Sequence, residues 1–179
     1  VGDRLCADTF ITPAEKSQEF YDRVFLGILM GDGSLFAGGY PDLKLYGPKR
    51  QLVSLLTRSG VVKSVTPISG QDGVQVSFNH RARELMHRYK FINKQSVELS
   101  SVDGFYGYVS GLLATDGSIG KRARISGSDA YLMQLRDLCH RYGLSRTTLL
   151  MDAEAGSETN YGKRNKALFS LWFAVADLV

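Results

Sequence analysis

The chain has 179 residues, 44% hydrophobic and 22% charged, enough for one domain or two small pseudo-repeats sharing a core, and it needs no covalent staple. Cys6 and Cys139 match neither a disulfide framework nor a zinc spacing, and His80, His87 and His140 form no ligand cluster, so a reducing, intracellular compartment is expected. No run is apolar enough to span a membrane and no signal peptide is visible; the net charge of +4 and pI near 9.1 suit a polyanionic partner.

Residues 1–11 read as an extended lead-in, and residues 1–24 carry net −2, which leaves +6 for the rest of the chain. Thr12-Pro13-Ala14-Glu15 supplies a helix start, and the helix is expected to run to about Gly31, with Tyr21, Val24, Phe25 and Ile28 facing a core. After the turn signal Gly38-Gly39-Tyr40-Pro41, Asp42, Lys44 and Tyr46 alternate with Leu43 and Leu45, as in a strand with one wet face. A helix from Pro48 to Ser59 buries Leu52, Val53, Leu55 and Leu56 and stops at Gly60. Val61 to Ile68 and Gly73 to Asn79 form a second strand pair, with Gln75, Ser77 and Asn79 opposite Val74, Val76 and Phe78; Arg81 to Phe91 is a basic helix.

The order then returns. A connector, 92–100, leads to a helix with Phe105, Tyr108, Val109 and Leu112 as its stripe, then a hairpin through Gly120 in which Arg122, Arg124 and Ser126 alternate with Ala123 and Ile125. A helix from Asp129 to Tyr142 and strands at Thr147 to Ala153 and Ala167 to Val175 follow, separated by a polar loop, Glu154 to Lys166. Gly60 and Gly143, like Lys63 and Arg146, are 83 positions apart. The expected fold class is α+β, a pseudo-twofold repeat of αββαββα units: residues 12–91 form one half, 101–179 a second half shortened at its end.

Each half holds the same stretch. Phe25 to Gly33 reads FLGILMGDG and Val109 to Gly117 reads VSGLLATDG, with Asp32 and Asp116 84 positions apart. Gly27 and Gly31, and Gly107, Gly111 and Thr115, recur at helical spacing, giving each helix a smooth face fit for backbone-to-backbone packing. Packed side by side, the helices bring Asp32 and Asp116 to the same end, and two carboxylates beside exposed carbonyls suit hard divalent cations. The alternative is that both aspartates are helix-end turn residues before glycine. A carboxylate at a helix C-terminus opposes the macrodipole, which disfavours that alternative for the two together.

The paired nonapeptides resemble the signature of the LAGLIDADG homing endonucleases in their single-chain, two-motif form, although Met30 and Ala114 replace the acidic residue at the sixth motif position. The resemblance implies motif helices at the centre of two antiparallel sheets that form a DNA-binding saddle. It implies a monomer that cuts double-stranded DNA at a long specific site, across the minor groove, with short 3′ overhangs. It also implies two-metal hydrolysis by Mg²⁺, with Ca²⁺ or Mn²⁺ as substitutes, held by Asp32 and Asp116 with the carbonyls of Gly31 and Thr115. Lys49 matches the family's basic residue near the scissile phosphate; the matching place in the second half is Ser128, and Lys121 is the candidate substitute.

The DNA-contacting set expected from strand alternation is Lys44, Tyr46, Gln75, Ser77, Asn79, Arg122, Arg124 and Ser126, since a two-stranded ribbon fits a major groove. Arg50, Lys63, Arg81, Arg146, Lys163, Arg164 and Lys166 add basic contacts; a solvated charge is the plain alternative for Arg50, as for Lys49 and Lys121, and a mobile solvated loop for the run from Lys163 to Lys166. A second functional reading is a relative that binds without cutting, either an intron maturase with RNA as partner or a DNA-binding regulator.

Overall fold

The structure, a computed structural model, describes residues 16–36, 39–91, 97–159 and 162–174. The expected lead-in, the Thr12 to Glu15 helix start, Cys6, connector residues 92–96 and residues 175–179 lie outside these. The chain divides into two compact units, residues 1–115 and 116–179. Among the described residues no helix is long and apolar enough to cross a membrane.

The first unit runs α1 (Gln18–Gly31), β1 (Ser34–Leu35), β2 (Pro41–Tyr46), a 3-10 segment (Gly47–Leu52) continuing into α2 (Val53–Arg58), β3 (Val62–Pro67), β4 (Gly73–Phe78), α3 (His80–Arg88) and α4 (Val102–Thr115). Helix α1 starts at Gln18. Ser17 is extended, at φ −63° and ψ 157°, and its hydroxyl accepts the Phe20 N–H at 3.2 Å, so Ser17 is the cap. From Phe20 to Met30 every residue except Tyr21 is buried, as in a helix enclosed on all sides.

Its partner is α4, the second motif helix, which is why that helix belongs to the first unit. A Cβ on Gly27 would lie 2.2 Å from the Tyr108 carbonyl oxygen and 2.9 Å from Gly111 Cα. One on Gly111 would lie 2.3 Å from the Val24 carbonyl oxygen and 2.9 Å from Gly27 Cα. Positions 27 and 111, and positions 24 and 108, share the 84-residue offset of the repeat, so each contact is the image of the other, as across a twofold axis. Phe20 meets Gly107 and, further along, Val24 meets Gly111, so the helices run parallel. Only residues without a Cβ permit this approach.

The symmetry does not extend to Gly107. The mate of Gly107 is Arg23, which is fully buried: its guanidinium donates to the Glu98 carbonyl, lies 3.4 Å from Glu19 and stacks 3.3 Å over the Tyr89 ring. Burial holds its pKa below the usual arginine value, opposed by the Tyr89 and Glu19 charges.

The first sheet is antiparallel in the order β1-β2-β4-β3. Leu43, Leu45 and Val76 are buried on one face, and the Phe78 ring, on the same face, lies 5.4 Å from Phe25 of α1. The Pro48 to Ser59 helix opens as a 3-10 segment, and Val53 is half-exposed rather than buried. The basic helix α3 begins at His80 and buries Ala82, Leu85 and Met86.

The second unit contains β5 (Gly117–Ile119), β6 (Arg122–Gly127), α5 (Asp129–Arg141), β7 (Thr147–Ala153), β8 (Glu158–Thr159), β9 (Gly162–Lys163) and β10 (Leu168–Ala174). Its sheet order, β5-β6-β10-β7, repeats that of the first sheet. Both repeats end a helix with a left-handed glycine, Gly60 at φ 73° and Gly143 at φ 91°. The segment 154–166 is not a plain loop, because β8 and β9 pair within it. Cys139 is a packing residue whose thiol burial pushes up to about 12, while the exposed His140 bonds Thr147 at 2.9 Å.

Candidate functional site

Asp32 caps the C-terminal end of α1, and its N–H bonds back to the Ile28 and Leu29 carbonyls. The glycine after it serves packing rather than an unusual backbone. Gly33 is not left-handed, but a Cβ there would sit 2.2 Å from Leu29 Cδ1 and 2.6 Å from the Leu29 carbonyl oxygen. The 3-10 segment brings Lys49 to the carboxylate, with Nζ 2.9 Å from Oδ1 and 2.7 Å from Oδ2. Both side chains are partly shielded, 31% and 19% exposed, so an ammonium and a carboxylate are paired at the rim of the core. The structure thus joins two residues that are 17 apart in sequence and were singled out for separate reasons.

Thr115 is the last residue of α4; its hydroxyl is turned back onto the Gly111 and Leu112 carbonyls, which leaves the main chain as its candidate donor. Asp116 follows it, exposed, with its carbonyl oxygen 3.5 Å from the Ser126 N–H. Lys121 lies at the far end of the β5–β6 hairpin, beyond Ile119↔Ala123, whereas Asp116 adjoins its base at Gly117↔Ile125. Four residues of extended chain place the tip roughly 13 Å from Asp116. Lys121, the expected stand-in for a basic residue at Ser128, is thus a hairpin-tip cation.

On the first sheet, the alternation of burial puts Lys44 and Tyr46 on the exposed face, opposite Leu43 and Leu45. Gln75 pairs with Lys44 and with Thr66, and Ser77 with Ser64, so all five share that face. The Gln75 amide donates to Asp42. Lys63 lies at a register shift between Val62 and Ser64. Three expected contacts are placed differently. Asn79 is the cap of α3, accepting the Arg81 N–H at 3.0 Å and donating to the Gly60 carbonyl at 2.9 Å. Arg81 is turned inward, bonding the Ser59 carbonyl and both oxygens of Asp22 at 2.9 and 3.1 Å. Arg50 pairs with Asp72 at 2.9 Å and with the Gly47 carbonyl.

The Arg81 placement carries a prediction. Asp22 is 3% exposed and Arg81 31%, so Arg81→Ala is expected to cost about 2 kcal/mol, below the range for fully buried pairs. A lowered urea midpoint with unchanged DNA affinity of the folded protein is the expected result; weaker binding at unchanged stability would return Arg81 to the interface.

On the second sheet, Arg122, Arg124 and Ser126 alternate with buried Ala123 and Ile125. Ser126 lies 3.2 Å from Ser170 on β10. Trp172, which sequence reasoning missed, stands directly across from Arg124, whose guanidinium lies 5.2 Å from the indole. The signal was present: Trp172 lies between buried Leu171 and Phe173, but an apolar tryptophan hid the period. Arg146 is exposed just before β7, Lys163 sits in β9, and Arg164 bonds Ser157 and Gly156 through its main chain, so the basic run belongs in part to an ordered ribbon; Lys166 follows it.

Among the described residues no three His, Cys, Asp or Glu side chains gather in a metal-binding group. An all-protein cage for calcium or zinc is therefore not built from them. An oxygen-donor set of one or two carboxylates with helix-end carbonyls nevertheless fits Mg²⁺, which keeps most of its waters and takes substrate phosphate as a further ligand.

No protein-family model matches the chain, and no curated protein matches it in sequence. Solved structures do. The chain is similar to mesophilic variants of the homing endonuclease I-DmoI, with a TM-score of 0.56 and 15% identity over 90% of this chain and 92% of that one. It is also similar to the homing endonuclease I-WcaI bound to its DNA recognition sequence, with a TM-score of 0.51 and 12% identity over 93% of this chain and 85% of that one. The twofold-matched motif helices and the twice-used 1-2-4-3 sheet are thus the fold of the LAGLIDADG homing endonucleases.

Proposed function

We propose that the protein is a site-specific double-strand DNA endonuclease of the homing type, acting as a monomer and leaving 3′ overhangs at a long site. The observation that carries this reading is the pair of motif helices, packed backbone to backbone at Gly27 and Gly111 in a fold shared with homing endonucleases, one ending at Asp32 and the other just before Asp116; Lys49 beside Asp32 offsets the helix dipole there. Asp32 and Asp116, with the Gly31 and Thr115 carbonyls, would hold Mg²⁺. Divalent ions held there would supply a water nucleophile near neutral pH and stabilise the leaving oxygen.

The protein's own groups orient and bind. Lys49 fixes the Asp32 carboxylate through both oxygens and carries positive charge to the scissile phosphate. Lys44, Tyr46, Gln75 and Ser77 on one sheet, and Arg122, Arg124 and Ser126 on the other, read base edges, with Lys63 and Arg146 on phosphates. The place matching Lys49 holds Ser128, ahead of Asp129 at the start of α5, and leaves only the hairpin-tip Lys121 to stand in for it. Unequal cutting of the two strands follows: Lys49→Gln is expected to slow cleavage roughly a hundredfold with DNA affinity kept, and nicked intermediate should accumulate on a supercoiled plasmid.

The reading is tested by incubating the protein with Mg²⁺ and a large randomised DNA library and sequencing the ends produced. One recurrent long site with a fixed 3′ overhang is the expected outcome. Salt-sensitive retention of DNA or RNA with no ends above background would replace it with a binding-only function.

A further inference from the structure

Helix α3 has a second face. His80, Arg83, Glu84, His87 and Arg88 recur at i, i+3, i+4, i+7 and i+8, opposite the buried Ala82, Leu85 and Met86. This stripe forms one wall of a groove of about 740 Å³ whose floor is Pro41 and Phe78 and whose rim is Tyr40. Pro41 is two residues from Leu43, and Phe78 two from Val76, both buried, so the floor lies on the core side of the sheet. The groove is therefore behind the sheet, on the side away from Lys44, Gln75 and Ser77. Nothing in the proposed cleavage reaction uses it.

Its chemistry is specific in two respects. Four cationic or protonatable side chains face one carboxylate, Glu84, so the wall is complementary to anions. The floor and rim are flat and apolar or aromatic: Tyr40 is 53% exposed, with its ring 4.4 Å from the Arg83 guanidinium and its hydroxyl accepting from Arg83 at 2.8 Å. Arginine forks suit phosphates, and planar rings suit unstacked bases. A duplex cannot offer its bases to such a floor, whereas a single strand can.

We infer that this groove binds a single-stranded polynucleotide, with Arg83 and Arg88 on the phosphates and Tyr40 and Phe78 against the bases. The site is separate from the duplex-reading sheet face and stands whether or not the protein cuts DNA.

The test uses the intact protein and fluorescein-labelled oligo-U and oligo-dT of about 16 nucleotides, beside a duplex of equal length, read by anisotropy over a salt series. The variants are Arg83→Gln/Arg88→Gln and Tyr40→Ala, with Lys44→Gln as the sheet-face control and thermal melting to show that each is folded. The arginine double variant is expected to lose single-strand affinity at least tenfold and to flatten the salt slope by about 1.4, at about 0.7 per phosphate contact. Tyr40→Ala should lose roughly tenfold through lost stacking, with duplex binding kept in both and reduced only by Lys44→Gln. Unchanged single-strand binding in the groove variants, an equal loss of duplex binding, or displacement of the strand by poly-glutamate at lower concentration would each overturn the inference, the last in favour of an acidic protein partner.

Discussion

Asp32→Asn and Asp116→Asn are each expected to lower double-strand cleavage roughly a thousandfold, several kcal/mol of lost transition-state stabilisation, while leaving fold and DNA affinity intact. The stability half of this expectation decides between two roles. Were Asp32 kept as a helix-end turn residue, the asparagine variant would cost stability and spare activity. The geometry predicts the reverse. Its carboxylate sits at the negative end of the α1 dipole, and the Lys49 pair is partly exposed, so losing the pair and relieving the dipole are each worth about 1 kcal/mol or less, with opposite signs. A near-zero change in urea midpoint beside a collapse in cleavage would show that Asp32 is retained for chemistry. Asp116 is exposed and should behave likewise. Cleavage within tenfold of wild type in either variant would remove that residue from the metal-holding pair.

Much of the fold was legible because its signals are periodic. Strand alternation at Asp42 to Tyr46 and Arg122 to Ser126, the Asp-Gly ends of the two motif helices and the Gly60/Gly143 match were visible without coordinates, and β7 appears at the expected bounds, Thr147–Ala153. Local pattern could not show which charges are turned inward. Asp22 and Arg81 are 59 residues apart, and nothing near Arg81 distinguishes an arginine bound for a buried carboxylate from one bound for DNA. Arg23 hid in the same way, as did the Ser17 cap, which a stronger upstream signal at Thr12 to Glu15 outcompeted.

The largest stability effect belongs to the motif helices themselves. Gly111→Ala is expected to destabilise the protein by about 3 kcal/mol, although alanine in a helix interior is intrinsically favoured over glycine by about 1 kcal/mol. The clash must outweigh that gain, and its geometry is of the kind that does: the new Cβ would stand 2.3 Å from the Val24 carbonyl oxygen and 2.8 Å from the Ile28 nitrogen, main-chain atoms that no rotamer change can move. Gly27→Ala meets the Tyr108 carbonyl oxygen at 2.2 Å and should cost as much. Gly120→Ala is the control, because nothing lies within 4 Å of its Cβ, and it should shift stability by less than about 0.5 kcal/mol. The double variant separates close packing from two independent injuries. Once one Cβ has forced α1 and α4 apart, the second enters space already opened, so the combined loss should fall short of the sum of the singles. Strict additivity in the denaturation midpoints would mean that the two glycines do not share one contact and that the twofold-matched register is wrong. A shortfall would show that a single backbone approach, made once between two copies of the same nonapeptide, sets the spacing on which both helix ends depend.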